Sequence, residues 1–181
     1  MRQIVIDKSI LKERVVYKFN AELVFDYIFM YFISWLPTLV FIKILIFPTP
    51  FNHHSYIFDF FSFSYTIWMF LNFFFMNKLV FIRGKDDESN RIDILKALEG
   101  KYPDITFSSG NPCLIRGEKP EGRWTQRGKI ISIILDESNL YINILSTYRA
   151  GRFSVFNGLS NYLKCKSIAK SFTSYQLQTF N

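Results

Sequence analysis

The sequence predicts a membrane protein in which a two-helix transmembrane hairpin carries a small cytoplasmic α+β domain, mostly antiparallel sheet with two helices. Three observations lead there. Most of the 21 Phe in 181 residues fall between Phe25 and Phe81, far from an even spread. Two long runs in that region carry almost no charge. Lys and Arg flank the runs and are missing from the segment between them, which orients both chain ends toward the cytoplasm.

The division that follows is a cytoplasmic N-terminal segment over 1–22, a first span over 23–47, a short external connector over 48–58, a second span over 59–78 and the α+β domain over 79–181. In the first span, sixteen uncharged residues separate Asp26 from Lys43. Extended to Phe47, the run gives about 31 Å of helix at roughly 1.5 Å per residue, enough for a hydrocarbon core. Lys43 lies near the end, where its stem can follow the helix while the ammonium reaches headgroups. Pro37 removes one backbone donor in mid-span and predicts a kink. The second run, FFSFSYTIWMFLNFFFMN from Phe60 to Asn77, is shorter. Its Phe, Leu and Ile favour insertion by about 3 to 5 kcal/mol before the polar side chains are counted. Pairing with the first span would help, with Ser62, Thr66 and Asn72 as the side chains for helix–helix contact. That pairing also offers a route to a homo-oligomer.

Orientation rests on counting. Residues 1–26 hold five Lys and Arg, the connector from Ile44 to Asp59 holds none, and many follow Lys78. The expected location is therefore the inner (plasma) membrane, multi-pass, with both termini cytoplasmic. The N-terminus does not read as a signal peptide, because its first long apolar run begins only near Leu23 and no small-residue cleavage site follows closely.

Beyond Lys78 the pattern is that of a small folded domain. LVFIRG fits either the end of the second helix or a strand. SNRIDILKALE over 89–99 reads as a helix capped at Ser89 or Asn90, with Ile92, Leu95 and Leu98 on one face and Gly100 at its end. The stretch from Ile105 to Gly128 alternates short apolar runs with Gly and Pro turns and predicts two or three strands. KIISIIL and LYINILS, joined by DESN, form a hairpin. A last helix over about 155–172 aligns Leu159, Tyr162, Leu163 and Ala169. QIVI and RVVYKF, near the N-terminus, are strand-like and can join the sheet, helping a region of about 100 residues bury enough apolar area.

The net charge of +7 concentrates in residues 78–181, which hold 16 of the 22 Lys and Arg against 10 of the 15 Asp and Glu. Such a balance suits anionic partners, namely lipid headgroups, nucleotides or nucleic acid, and a protein partner is also expected. The densest basic stretch supplies Arg116, Lys119, Arg123, Arg127 and Lys129 around Trp124, and YRAGRF adds Arg149 and Arg152. Arg forks bind phosphate and Trp stacks on bases, so these eight residues form the candidate anion-binding surface. No metal or cofactor is expected, because the adjacent His53 and His54 with Asp59 fall short of a metal ligand set. Both histidines lie in the connector, so no cytoplasmic His is available as a general base. Cys113 and Cys165 lack metal-ligand spacing, and no catalytic residue is assigned.

The expected function is non-catalytic: a two-span anchor holding a basic α+β domain at the bilayer to bind a partner or an anionic ligand. In layout the chain is similar to the two-span, strand-rich effectors of bacterial cyclic-nucleotide anti-phage systems, which implies ligand-controlled membrane disruption as an alternative. Its helices at 89–99 and 155–172 depart from an all-β sensor. A membrane immunity protein against a toxin is a third reading.

Overall fold

The computed structural model describes residues 3–19, 55–119, 128–148 and 152–178, together with individual positions between 21 and 46. A short helix α1 (Ile6–Leu11) comes first. The described positions between 21 and 46 are helical. Then follow α2 (Ser55–Met76), β1 (Val80–Arg83), α3 (Asp87–Glu99), β2 (Thr106–Asn111), β3 (Leu114–Lys119), β4 (Gly128–Asp136), β5 (Asn139–Tyr148), β6 (Arg152–Phe153), a 3-10 turn (Val155–Asn157) and α4 (Gly158–Gln178).

The strands form one antiparallel sheet in the order β1-β5-β4-β3-β2, and β6 pairs with the end of β5. The β4–β5 hairpin is the long central ladder, running from Gly128 opposite Thr147 to Asp136 opposite Asn139. Its two-residue turn holds Glu137 at φ 53°, as tight hairpin turns require. Strand alternation splits the side chains between two faces. Ile131, Ile133 and Leu135 of β4 and Leu140, Ile142 and Ile144 of β5 pack on one face with Ile94 and Leu98 of α3 and Cys165, Ile168 and Phe172 of α4. Ile134 and Leu145 turn to the other face, where Val15, Tyr17, Met69, Met76, Leu79 and Phe153 cover them.

The sequence's two-span transmembrane hairpin is not found. Among the described residues, no helix is both long enough and apolar enough to cross a membrane. The helix in place of the second expected span, α2, carries Asp59, Ser62, Ser64, Thr66 and Asn72 among its apolar residues. Its stripe of Ser62, Met69, Asn72 and Met76 is buried against protein, so the helix is not solvated alike on every side. With the hairpin go the transmembrane assignment and the multi-pass inner-membrane location. The first expected span lies mostly outside the described residues, as do connector residues 48–54 with His53 and His54. What remains is an α+β fold on a six-stranded antiparallel sheet.

Several local readings shift as well. LVFIRG resolves as strand β1. The cap of α3 is Asp86, whose Oδ1 accepts the Ser89 amide at 3.0 Å, rather than Ser89 or Asn90. The buried residues of α3 are Asn90, Ile94, Ala97 and Leu98, while Ile92 is exposed. The N-terminal strand-like pieces contribute only isolated bridges, Ile4 with Tyr17 and Arg14 with Lys78. That segment nonetheless ties down the exit of α2, because the Val15 amide donates to the Asn77 carbonyl at 2.8 Å and the Leu79 amide to the Glu13 carbonyl at 3.0 Å.

A polar pair interrupts the second face. Ser132 and Asn143 are register partners on β4 and β5 and both are buried. Asn143 Nδ2 donates to the Lys78 carbonyl at 3.0 Å and to the Met76 carbonyl at 3.3 Å, so it holds the end of α2 onto the sheet. Ser132 Oγ has no hydrogen-bond partner. Their roles are therefore unequal: Asn143→Ala orphans helix-terminal carbonyls and is expected to cost about 1 to 3 kcal/mol, whereas Ser132→Ala removes an unsatisfied hydroxyl and should be neutral or slightly stabilising. Urea unfolding of the two variants checks this, and equal losses would contradict it.

Candidate functional site

Of the basic residues singled out in the sequence, those on β3 and β4 divide between the two faces of the sheet. Arg116 lies on the face opposite α3 and α4, has a side chain only 10 % exposed, and pairs with Glu118 at 2.8 Å. Lys119 and Lys129 are register partners on β3 and β4 and belong to the helix-covered face. Arg123, Trp124, Arg127 and Arg149 lie outside the described residues, and Arg152 sits in β6. One-residue alternation along β3 is the physical reason for the split: Arg116 and Lys119, three apart, must point to opposite sides.

On the helix side a different cluster assembles. Lys129, next to Lys119, holds its ammonium 5.2 Å from the centroid of the Tyr102 ring, just past the end of α3. Burial pushes the Lys129 pKa down from the ordinary lysine range, and the positive charges of Lys164 on α4 and Lys119 push it further the same way. Lys119 has a counter-ion, since its Nζ meets Asp104 Oδ2 at 2.8 Å and holds that carboxyl below the usual range. Among the described residues no carboxylate pairs with Lys129 or Lys164. Nearby on α4, Ser167 Oγ accepts from Lys101 Nζ at 2.9 Å.

The position of Lys164 follows from how α4 docks. Its buried positions are Gly158, Asn161, Cys165, Ile168, Phe172 and Gln176, at helical spacing, and Lys164 and Lys166 flank that stripe. The stripe read from the sequence, Leu159, Tyr162, Leu163 and Ala169, is out of phase with it, and Leu163 is exposed. Asn161 is drawn inside because its Nδ2 donates to Ser146 Oγ at 3.1 Å, and Gln176 because its Nε2 donates to Asn90 Oδ1 at 3.2 Å. Lys164 itself was legible only as one of three Lys in KCKSIAK. Nothing in spacing alone places it beside a strand 35 residues earlier.

The three residues named for helix–helix contact also find their places. Asn72 is buried and its Oδ1 accepts the Leu159 amide at 3.2 Å, so it meets the start of α4. Ser62 is buried, and Thr66 Oγ1 donates back to the Ser62 carbonyl within α2. Beside them, α2 exposes an apolar stripe of Phe60, Phe63, Ile67, Phe70 and Phe74 with Leu71 at its edge, while Phe61 and Trp68 are exposed off that stripe. At its C-terminal end Arg14 lies 4.9 Å from the Phe74 ring centroid and donates to the Phe74 carbonyl at 3.1 Å, and Lys78 Nζ sits 5.6 Å from the same ring. Cations there complement the helix C-terminus.

Neither cysteine offers a reactive thiolate partner to the cluster. Cys165 is buried, and desolvation pushes its thiol up to about 12. Cys113 is exposed at the β2–β3 turn, on another part of the sheet. No protein-family profile matches the chain, and neither curated proteins nor solved structures give a significant match. The functional reading therefore rests on these side chains.

Proposed function

We propose that the chain is a non-catalytic binding module whose α+β domain takes a multiply charged anion, of the phosphate type, at Lys119, Lys129 and Lys164. The observation that carries this reading is Lys129: a partly buried ammonium with two cationic neighbours and, among the described residues, no carboxylate of its own. Such an arrangement costs folding energy unless an anion completes it. The Tyr102 ring beneath Lys129 gives the site an apolar floor, against which an anion meets less competition from water. The protonated, buried Cys165 supports a binding role over nucleophilic chemistry. The effector and immunity readings both presuppose a bilayer-spanning hairpin, and no helix among the described residues is long and apolar enough to form one.

Calorimetric titration of the full chain with inorganic pyrophosphate tests the proposal. Each lysine contact is expected to be worth about 1.5 kcal/mol, so Lys129→Gln with Lys164→Gln should weaken binding on the order of 100-fold. Affinity should fall as pH rises through the depressed Lys129 pKa, because only the ammonium attracts the anion. A parallel flotation with phosphatidylglycerol vesicles separates a headgroup phosphate from a free one. Equal heats for both proteins would remove the assignment.

A further inference from the structure

The lysines around Tyr102 are not equivalent. The Lys119 ammonium meets Asp104 Oδ2 at 2.8 Å, and Lys101 donates to Ser167 Oγ at 2.9 Å. Lys164 stands exposed on α4. Lys129 differs from all three. It is rooted in the sheet between Lys119 and Ser146, its register partners on β3 and β5, and its Nζ lies 5.2 Å from the centroid of the Tyr102 ring. Among the described residues no acceptor takes a hydrogen bond from that nitrogen.

The difference is a chemical one. A lysine attacks only through the lone pair of its neutral form, which fewer than about one ordinary lysine in a thousand carries near pH 7. A carboxylate partner keeps the proton in place, whereas burial and neighbouring cations expel it. Lys129 has the second kind of surroundings: the sheet and the Tyr102 ring desolvate it, and Lys164 and Lys119 repel its charge. With no acceptor claiming a proton, the nitrogen is also free to turn toward an electrophile.

We propose that Lys129 captures a phosphorylated aldehyde as an imine while Lys164 and Lys119 hold the phosphate. This rests on the anion reading of the same cluster and names its ligand class. The amine lone pair forms a C–N bond to the carbonyl carbon, the carbonyl π pair moves to oxygen, and a proton passes from nitrogen to that oxygen, giving a carbinolamine. Solvent, which reaches the cluster beside exposed Lys164, lends a second proton to the hydroxyl. Water then leaves, the nitrogen lone pair closes the C=N bond, and the nitrogen returns the proton. Nothing is oxidised or reduced. Hydrolysis reverses every step, so capture is reversible binding rather than turnover. The division of labour follows from the surroundings: the two outer lysines supply charge, and the desolvated one between them supplies the nucleophile.

Treating the full chain near neutral pH with one equivalent of pyridoxal phosphate, reducing with borohydride and mapping the peptides by mass spectrometry tests the proposal. One pyridoxyl group per chain is expected, at Lys129. Excess pyrophosphate should suppress it, and pyridoxal, which lacks the phosphate, should label on the order of 10-fold more slowly. Lys164→Gln, an exposed change that leaves the fold intact, should slow labelling by pyridoxal phosphate on the order of 10-fold while the adduct stays at Lys129. Pyrophosphate titrated calorimetrically into the same preparation separates the two readings. Heat of binding with no adduct at Lys129, or with label spread evenly over Lys101, Lys119 and Lys164, overturns capture and leaves the anion site standing. Label at Lys129 that pyrophosphate does not suppress also overturns it, because the phosphate is then held elsewhere. Neither heat nor label removes both readings.

Discussion

Gly158→Ala will destabilise the protein by about 3 kcal/mol and loosen α4 from α2, although it adds a single methyl group. Gly158 is the first residue of α4, where that helix crosses α2. A Cβ built there would overlap the backbone carbonyl oxygen of Asn72 and stand 2.9 Å from the amide nitrogen of Met76. Both belong to helix backbone, which has no rotamer to move aside, so the helices must separate. Overpacking of this kind costs roughly 1 to 3 kcal/mol. Separation also stretches the bond from the Leu159 amide to Asn72 Oδ1, one of the four amides that every helix start leaves without a partner in its own helix. Loss of such a cap adds about 1 kcal/mol. Gly110→Ala is the internal control, because a Cβ there meets nothing within 4 Å and should shift the unfolding midpoint little. Thermal or urea melts that place Gly158→Ala level with Gly110→Ala would mean that α2 and α4 do not approach as described.

That crossing also shows what the sequence could and could not disclose. Strand hairpins are local, so β4 and β5 could be recognised from KIISIIL-DESN-LYINILS, with Glu137 and Ser138 making the turn. Helix α3 was legible from its period and from Gly100. The direction each helix faces was not, because polar residues occupy buried stripes and are satisfied by partners remote in sequence. Asn72 reaches Leu159, Asn90 meets Gln176, and Asn161 meets Ser146. A hydrophobic stripe drawn from apolar residues alone skips these positions and rotates the helix.

The same blindness explains the expected spans. The Phe-rich composition of α2 was read as a demand for lipid on every side, yet one stripe of the helix, including Ser62 and Asn72, is buried within the fold. The anion-binding surface raises a different point, since its described residues on β3 and β4 divide between two faces. Its residues were grouped by nearness in sequence, and a strand sends near neighbours to opposite faces. Arg116 thus pairs with Glu118 on one side while Lys119 and Lys129 join Lys164 on the other.

The phase of α4 can be decided by a pair of truncations. Phe172→Ala is expected to lose about 3 to 5 kcal/mol, whereas Leu163→Ala should change stability by less than about 0.5 kcal/mol. Phe172 is 0 % exposed and belongs to the core formed by α3, α4 and the helix-facing side of the sheet. Removing its ring there leaves a cavity among Ile and Leu side chains that are themselves fully buried and have little freedom to collapse into it. Leu163 is 55 % exposed, so truncating it takes away little contact. An α4 rotated onto the Leu159, Tyr162, Leu163 and Ala169 stripe would produce the reverse ranking. That rotation would also carry Lys164 away from Lys129. The ranking of these two variants in a denaturant melt therefore tests the helix phase and, through it, the geometry on which the anion cluster depends.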